Sequence, residues 1–308
     1  MSVPVAAGQG ERAGLAEPGG YFPGRGDTQR RFPGRGDALW RFPGRGDALR
    51  QVLWALAAIA QRDVIKLVRD RPRIAVNLAF PVMLIAGLGS VLQPLVGRAT
   101  GLNAVTLAFT GVLAATLFQS AAAGMISIVE DRENDFSREI FVTPVPRLVL
   151  VGGKVSGETA VALGQGAAVV AFALAFGVRA PLPRLAALLL PGLACCLVGG
   201  AFGLATIAVL PHQRSAMQIF QFLIIPQYVL GGVLVPVHGL PGYLNVLAWA
   251  MPMRYGVDLA RAAFYAGTPG YHQVVTGGPA LDAAVLAGLF ATLMITGAAV
   301  FNHRERTR

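Results

Sequence analysis

The sequence predicts an all-α membrane protein that crosses the bilayer six times. Hydrophobic residues make up 54% of its 308 positions and charged residues only 14%, whereas a soluble domain usually carries about a quarter charged residues. A helix that crosses the hydrocarbon core needs ~20 largely apolar residues. Six runs without any Asp, Glu, Lys or Arg meet this need: 74–97, 99–129, 159–178, 185–213, 215–253 and 283–303. These runs disfavour the alternative, a soluble protein built from very apolar helices.

Residues 1–50 form a separate zone in which a ten-residue unit occurs three times, at 21–30, 31–40 and 41–50. Each copy contains Pro-Gly and Gly-Asp turn signals and too few apolar residues to bury a core. We therefore predict a disordered cytoplasmic tail. The Arg-Gly-Asp triplet in each copy is interpreted as a product of repeat expansion and not as an adhesion signal. Contact of the tail with anionic lipid stays a hypothesis.

Residues 51–73 predict an amphipathic interfacial helix. At 100° per residue, an apolar face forms around Leu53 and Val64, and the opposite face carries Arg62, Lys66 and Arg69. A helix with a basic polar face is suited to the cytoplasmic interface of the membrane.

The six-span transmembrane domain is predicted over 74–302, before a basic cytoplasmic tail at 303–308. Its spans are expected at about 74–96, 104–128, 155–177, 186–210, 216–235 and 282–302. Pro81 predicts a kink in the first span. The adjacent Cys195 and Cys196 are interpreted as small core residues.

The Lys and Arg residues predict the orientation of the spans. With the N-terminus inside, 21 of the 26 lie on the cytoplasmic side, mostly in residues 1–73 and at the C-terminus. This asymmetry follows the positive-inside rule for an even number of spans. It predicts a multi-pass protein of the bacterial inner membrane with both termini in the cytoplasm.

The loop between the second and third spans carries the densest charge of the transmembrane domain. From Glu130 to Glu139 the charges alternate in sign at helical spacing around Phe136, and Thr143-Pro144 ends the pattern. This predicts a short cytoplasmic helix across the membrane surface that a soluble partner could bind through apolar contacts, with the charges setting the register. A loop that is merely solvated is the alternative.

The stretch 236–280 is expected outside the cell. Pro236, Pro241 and Pro252 divide an apolar region that is too long for one span. Short helices that dip back into the outer leaflet would satisfy their backbone internally. We therefore predict an outer re-entrant helical hairpin.

The second helix of that hairpin carries three charges. Arg254, Asp258 and Arg261 are spaced by four and then three residues. Side chains at these spacings are neighbours on one helix face. The spacing predicts that the three side chains pair with one another.

No catalytic residue, metal ligand or cofactor site is predicted in this chain. Residues 152–154, Gly-Gly-Lys, lack the preceding glycine of an ATP-binding loop, and Val155 replaces its Ser or Thr. A self-powered secondary carrier would bury an ionisable group midway through a span. Here such groups lie near predicted span ends: Glu158, expected to pair with Lys154, and Asp282. The energy source is therefore expected in another polypeptide. A membrane-embedded lipid-handling enzyme and a secondary carrier are the alternatives.

These features together resemble the permease subunit of type-2 ABC exporters. In that family the loop between the second and third spans has an acidic-Arg-Glu start, a hydrophobic turn, and Thr-Pro-x-x-Arg before Gly-Lys. The matching residues are Glu130, Asp131, Arg132, Glu133, Phe136, Ile140, Phe141, Thr143, Pro144, Arg147, Gly153 and Lys154.

The resemblance continues through the C-terminal half. A Gly-x-x-x-Pro outer turn, a Leu-Pro hairpin and a Pro-x-x-Tyr-x-x-Asp-x-x-Arg helix follow the fifth span of the family. The matching residues are Gly232, Pro236, Leu240, Pro241, Pro252, Tyr255, Asp258 and Arg261. Order and spacing agree from about residue 50 to 302, and the chain looks most like the antibiotic (daunorubicin) resistance branch.

The resemblance implies a cytoplasmic coupling helix that seats in a groove of an ATPase. The coupling residues would be Glu130, Arg132, Glu133, Phe136, Arg138, Glu139, Thr143, Pro144 and Arg147. It implies a permease that is not itself an enzyme, with ATP and Mg²⁺ bound by two copies of the partner ATPase. A second permease protomer would complete a homodimer or heterodimer in membrane lipid, with no role for nucleic acid. The expected activity is export of a hydrophobic or amphipathic drug, antibiotic or lipid, and a glycan stays open.

Overall fold

A computed structural model of the chain describes residues 61, 71–133, 147–210, 212–234, 236 and 241–306. These residues belong to one compact unit, 45–308, and form helices joined by turns, with no strand in the described part. The helices are α1 (Arg71–Met83), a π-helical segment (Leu84–Leu88), α2 (Gly89–Thr100), α3 (Ala104–Glu133), α4 (Arg147–Ala175), α5 (Leu182–Ala187), α6 (Leu189–Val209), α7 (Gln213–Leu230), α8 (Gly242–Trp249), α9 (Pro252–Phe264), α10 (Tyr271–Val274) and α11 (Pro279–Arg306).

Among the described residues, five stretches are long and apolar enough to cross a membrane: Asn77–Arg98, Ala104–Ser127, Gly152–Ala175, Leu182–Val209 and Tyr271–Gly297. They correspond to the first, second, third, fourth and sixth predicted spans. The predicted fifth span is the helix α7, which ends at Leu230 and not at residue 235. Arg214 and four glutamines make α7 less apolar than the others. The chain is therefore a multi-pass membrane protein, and the count of six stays a prediction.

The first span is continuous but irregular. Pro81 lies inside α1, and the π-helical segment begins at Leu84. Proline lacks the N–H group that would donate a hydrogen bond within the helix. A π turn, which is wider than an α-helical turn, accommodates the missing hydrogen bond without ending the helix. The predicted irregularity at Pro81 is thus present as a wider turn.

A tight turn joins α2 to α3. Gly101 adopts φ 69°, the left-handed conformation that ends many helices. The side-chain oxygen of Asn103 then accepts hydrogen bonds from the backbone N–H groups of Val105, at 2.9 Å, and Thr106, at 3.1 Å. This cap satisfies N–H groups that have no partner inside α3.

The helix α3 lies at the centre of the bundle, where it packs against α2, α4, α6, α7 and α9. Its closest neighbour is α6. A Cβ added at Gly199 or Gly203 of α6 would overlap the backbone carbonyls of Phe118 and Ala122 of α3. Small residues spaced by four allow this approach of two membrane helices.

Two short helices, α8 and α9, lie in the segment where the outer hairpin is predicted. Pro241 caps the start of α8, Pro252 is the first residue of α9, and Pro236 lies in the connection before them. Each proline therefore falls at a helix start or between helices, where its missing N–H costs nothing. Re-entry of these helices into a leaflet stays a prediction.

Candidate functional site

The bundle has two ends with different polar groups. The hairpin end carries residues 101–103, 176–181, 231–234, 236 and 241–278, and Leu102 packs at Gly270 there. The coupling-loop end carries the last turn of α3, the first turn of α4 and the C-terminal end of α6. Each end contains a buried cluster of charged side chains.

Asp258 is the central group of the hairpin end, and its side chain is only 4% exposed. Its carboxylate accepts hydrogen bonds from the backbone N–H groups of Thr276, at 2.8 Å, and Gly277, at 2.5 Å. The Thr276 hydroxyl donates a third, at 3.1 Å. Hydrogen bonds to a charged group contribute about 1.5–3 kcal/mol each. Asp258 therefore ties α9 firmly to the residues that precede α11.

The predicted mutual pairing of Arg254, Asp258 and Arg261 is wrong. In the described part of the chain, no ion pair within 4.0 Å joins them. The Arg254 guanidinium lies 4.5 Å from the ring centre of Trp249, and Arg261 donates to the backbone carbonyl of Val233, at 3.3 Å. Helical spacing alone could not reveal these partners, because they lie on other segments.

Arg261 keeps its charge in a buried position. Burial lowers the pKa of Arg261 to about 10, and the nearby Asp258 carboxylate acts in the opposite direction. Burial likewise raises the pKa of Tyr265 to about 12, while the charges of Arg261 and Arg184 oppose this change. The helix α5, which carries Arg184, packs against α9.

Asp282 is a member of the cluster that sequence reasoning did not select as a site residue. It is 2% exposed, and its Oδ2 atom has no hydrogen-bond partner. A Cβ added at Gly277 would lie 2.9 Å from Asp282 and 3.1 Å from Asp258, so both carboxylates face this glycine. The signal that could have found Asp282 is an acidic residue in the first turn of a span, where the helix dipole stabilises negative charge.

The hairpin is also tied to α7. The side-chain oxygen of Gln227, which is 2% exposed, accepts a hydrogen bond from the backbone N–H of Met253 at 3.3 Å. Tyr255 donates its hydroxyl to the carbonyl of Trp249 at 2.6 Å and thereby links α9 to α8. Together with Asp258, these contacts hold α9 between α7 and α11. These hydrogen bonds link α9 mechanically to α7, α8 and the start of α11.

The coupling-loop end contains a buried ion pair. Lys154 and Glu158 approach to 2.6 Å, and each side chain is 9% exposed. The Glu158 carboxylate packs against Gly124 of α3, where a Cβ would overlap it. The predicted Lys154–Glu158 pair is confirmed, and it joins the first turns of α4 to α3.

The structure describes the two borders of the predicted coupling helix. Glu130, Arg132 and Glu133 form the last residues of α3, and the coupling helix itself stays a prediction. Arg147 begins α4. The other predicted residues lie outside the described part: Phe136, Arg138, Glu139, Thr143 and Pro144 of the coupling helix and Arg62, Lys66 and Arg69 of the interfacial helix.

The helix α7 has one packed face and one open face. Its buried residues include Phe220 and Ile224, whereas Phe222 and Val229, on the opposite side, are 75% and 70% exposed. Gln218 is exposed on the same open face. The open face of α7 therefore mixes apolar and amide side chains.

Three helices meet beside this open face. The Tyr228 hydroxyl of α7 donates to the Gln119 amide oxygen of α3 at 3.3 Å. The Tyr228 ring packs edge-to-face on Phe80 of α1, with ring centres 5.6 Å apart. The first, second and fifth predicted spans thus form one group.

A family model described as "ABC-2 type transporter" matches residues 55–265 of the chain. The match covers the first four predicted spans, the segment between α3 and α4, α7 and the hairpin. No curated protein matches the chain.

Proposed function

Because the chain belongs to the ABC-2 type transporter family and is the membrane permease component of such a transporter, we propose that it exports a hydrophobic or amphipathic substrate. The substrate class includes drugs, antibiotics and lipids. The apolar spans of the protein support this choice. Two copies of a separate ATPase would bind ATP and Mg²⁺ and drive transport. The predicted setting is a bacterial inner membrane with both termini in the cytoplasm.

The observation that carries this proposal is the length of the two helices around the 134–146 segment. The apolar part of the second span ends at Ser127, but α3 continues to Glu133; α4 begins at Arg147, five residues before its apolar part. At 1.5 Å per residue, the helix ends project about 7–9 Å beyond the apolar zone. Two helix ends at this distance would hold the segment where an ATPase can reach it.

The Lys154–Glu158 pair supports a mechanical role for these ends. It attaches the start of α4 to α3 at Gly124, so a force on the 134–146 segment would act on both helices. Because the Glu158 carboxylate fills the space beside Gly124 that a Cβ would need, the two helices would move together. This coupling would carry an ATP-driven movement of the ATPase into the membrane.

The open face of α7 supports a second permease copy. Exposed amides such as Gln218 are unfavourable against lipid tails, which offer no hydrogen bonds. Packing of α7 and its neighbours α1 and α3 against a second protomer would place these amides at a central path. The partner protomer would be identical or closely related.

The test is isolation of the tagged chain from its own membranes in mild detergent, with assay of bound ATP hydrolysis. We expect an ATPase to co-purify with the wild type and to be lost in Phe136→Ala and Arg138→Glu. The matched controls are Phe176→Ala and Arg98→Glu, the same changes at the hairpin end, and these should retain it.

Two outcomes would contradict the proposal. If no nucleotide-hydrolysing subunit is recovered even after crosslinking, an ATP-driven exporter is wrong for this chain. If the ATPase is retained equally by all four variants, the docking segment is wrong. Export direction is tested with inverted vesicles, in which addition of ATP should move an amphipathic dye into the lumen.

A further inference from the structure

A large apolar groove opens on the side of the bundle at the hairpin end. Its volume is about 940 Å³, and it lies between α6, the C-terminal half of α9 and the first turns of α11. Leu190 and Leu193 of α6 line it and are 76% and 39% exposed. The groove is therefore open towards the space that lipid occupies around the spans.

The length of the groove matches one leaflet. Along α11 its lining runs from Pro279 to Phe290, which is about 16 Å at 1.5 Å per residue. Half of a hydrocarbon core of about 30 Å is close to the same length. Ala283 and Ala287 are two of the five residues of this wall, and their short side chains leave room for an extended hydrocarbon chain.

The rim of the groove carries basic side chains. His272 lines it and is exposed. Arg184 lies one turn before Ala187, another lining residue, on the helix α5, which packs against α9. The only carboxylates in the described part of the hairpin end, Asp258 and Asp282, are buried at 4% and 2% exposure. No exposed negative charge among the described residues therefore opposes an anion at this rim.

From this shape and charge we propose that the groove binds an anionic phospholipid of the adjacent leaflet. One acyl chain would lie between α6 and α11, and the phosphate would contact Arg184 and His272. The charge at the rim distinguishes this occupant from a neutral lipid, and the depth of one leaflet distinguishes it from a short apolar molecule. Binding needs neither the ATPase nor transport and so goes beyond the proposed function.

The test uses the purified full chain in phosphatidylcholine nanodiscs that contain spin-labelled phosphatidylglycerol or spin-labelled phosphatidylcholine. Electron paramagnetic resonance measures the immobilised fraction of each probe. We expect about fivefold preference for phosphatidylglycerol, the effect of one basic residue on an anionic lipid. Ala287→Phe should abolish the excess of immobilised phosphatidylglycerol over phosphatidylcholine. Ala284→Phe, three residues earlier on α11 and outside the groove, should keep that excess.

The rim is tested separately. Arg184→Gln combined with His272→Gln should bring the preference to about one, with Arg98→Gln as the control for an exposed cation at the same end. Ala283→Phe is the second groove variant if Ala287→Phe does not fold. The proposal would be overturned if the groove variant and Ala284→Phe showed the same lipid preference. It would also be overturned if the wild type showed no preference for phosphatidylglycerol.

Discussion

The contact between α3 and α6 allows a sharp test of how the bundle is held together. We consider Gly199→Ala and Gly203→Ala in α6. A Cβ at Gly199 would lie 2.9 Å from the Cα atom of Phe118, and one at Gly203 would lie 3.0 Å from that of Ala122. Ordinary contacts are longer by at least half an ångström, and the facing atoms are backbone that cannot rotate away.

The magnitude follows from this overlap. The two helices must separate by about 0.5–1 Å, which forfeits a quarter to a half of their dispersion attraction at the contact. Overpacking of this kind costs about 1–3 kcal/mol. The gain in helix propensity from Gly to Ala offsets at most about 1 kcal/mol. We therefore expect each variant to lower the midpoint of thermal unfolding by about 5 °C.

The chain provides its own reporter for this measurement. Cys195 and Cys196 are its only cysteines, and both are buried on α6 one turn from Gly199. A thiol-reactive dye will therefore become fluorescent as α6 separates from its neighbours. The matched controls are Gly164→Ala and Gly288→Ala, helical glycines at which an added Cβ meets nothing within 4 Å.

The controls should unfold at the wild-type temperature or slightly above it, because they gain helix propensity without a clash. If Gly199→Ala and Gly203→Ala melt with the controls, α3 and α6 do not pack through these glycines. If all four variants are destabilised equally, the loss arises from something other than the predicted overlap. Either result would refute the argument.

Three further predictions concern the polar contacts. Asp258→Asn should destabilise the protein by about 3 kcal/mol, since roughly two charge-assisted hydrogen bonds are lost; an unchanged melting temperature would contradict this. Glu158→Gln should cost about 3 kcal/mol because it removes the negative charge 2.6 Å from the buried Lys154 ammonium. A double variant, Lys154→Met with Glu158→Leu, should recover most of that loss. Gln227→Leu should speed hydrogen exchange at the backbone N–H of Met253 by about tenfold, since a hydrogen bond of ~1.4 kcal/mol is lost; protection equal to the wild type would count against the contact.

Helix positions in this protein are predictable from local sequence because their causes are local. Uncharged runs define the spans, and Pro241 and Pro252 define the starts of two short helices. The Lys154–Glu158 pair was predictable for the same reason, since both residues lie on one helix face. The turn at Gly231-Gly232 explains why α7 ends earlier than its apolar run.

Tertiary partners were not predictable in this way. Asp258 has neighbours of opposite charge on its own helix, yet it takes the backbone N–H groups of residues 276 and 277. That choice depends on where the chain returns after α9, which no local pattern contains. The same holds for Asp282, whose burial results from packing of α11 against α9. The second span ends at Ser127, close to the predicted residue 128, but α3 continues to Glu133 because Glu130 and Glu133 are good helix formers.

The position of α9 between two spans has a consequence for stiffness. Gln227 and Val233 attach it to α7 and the connection that follows, and Asp258 attaches it to the start of α11. Spreading α7 away from α11 at this end would break these hydrogen bonds, whereas displacing the three helices as a block would break none. We therefore expect α7, α9 and the start of α11 to move as one rigid block.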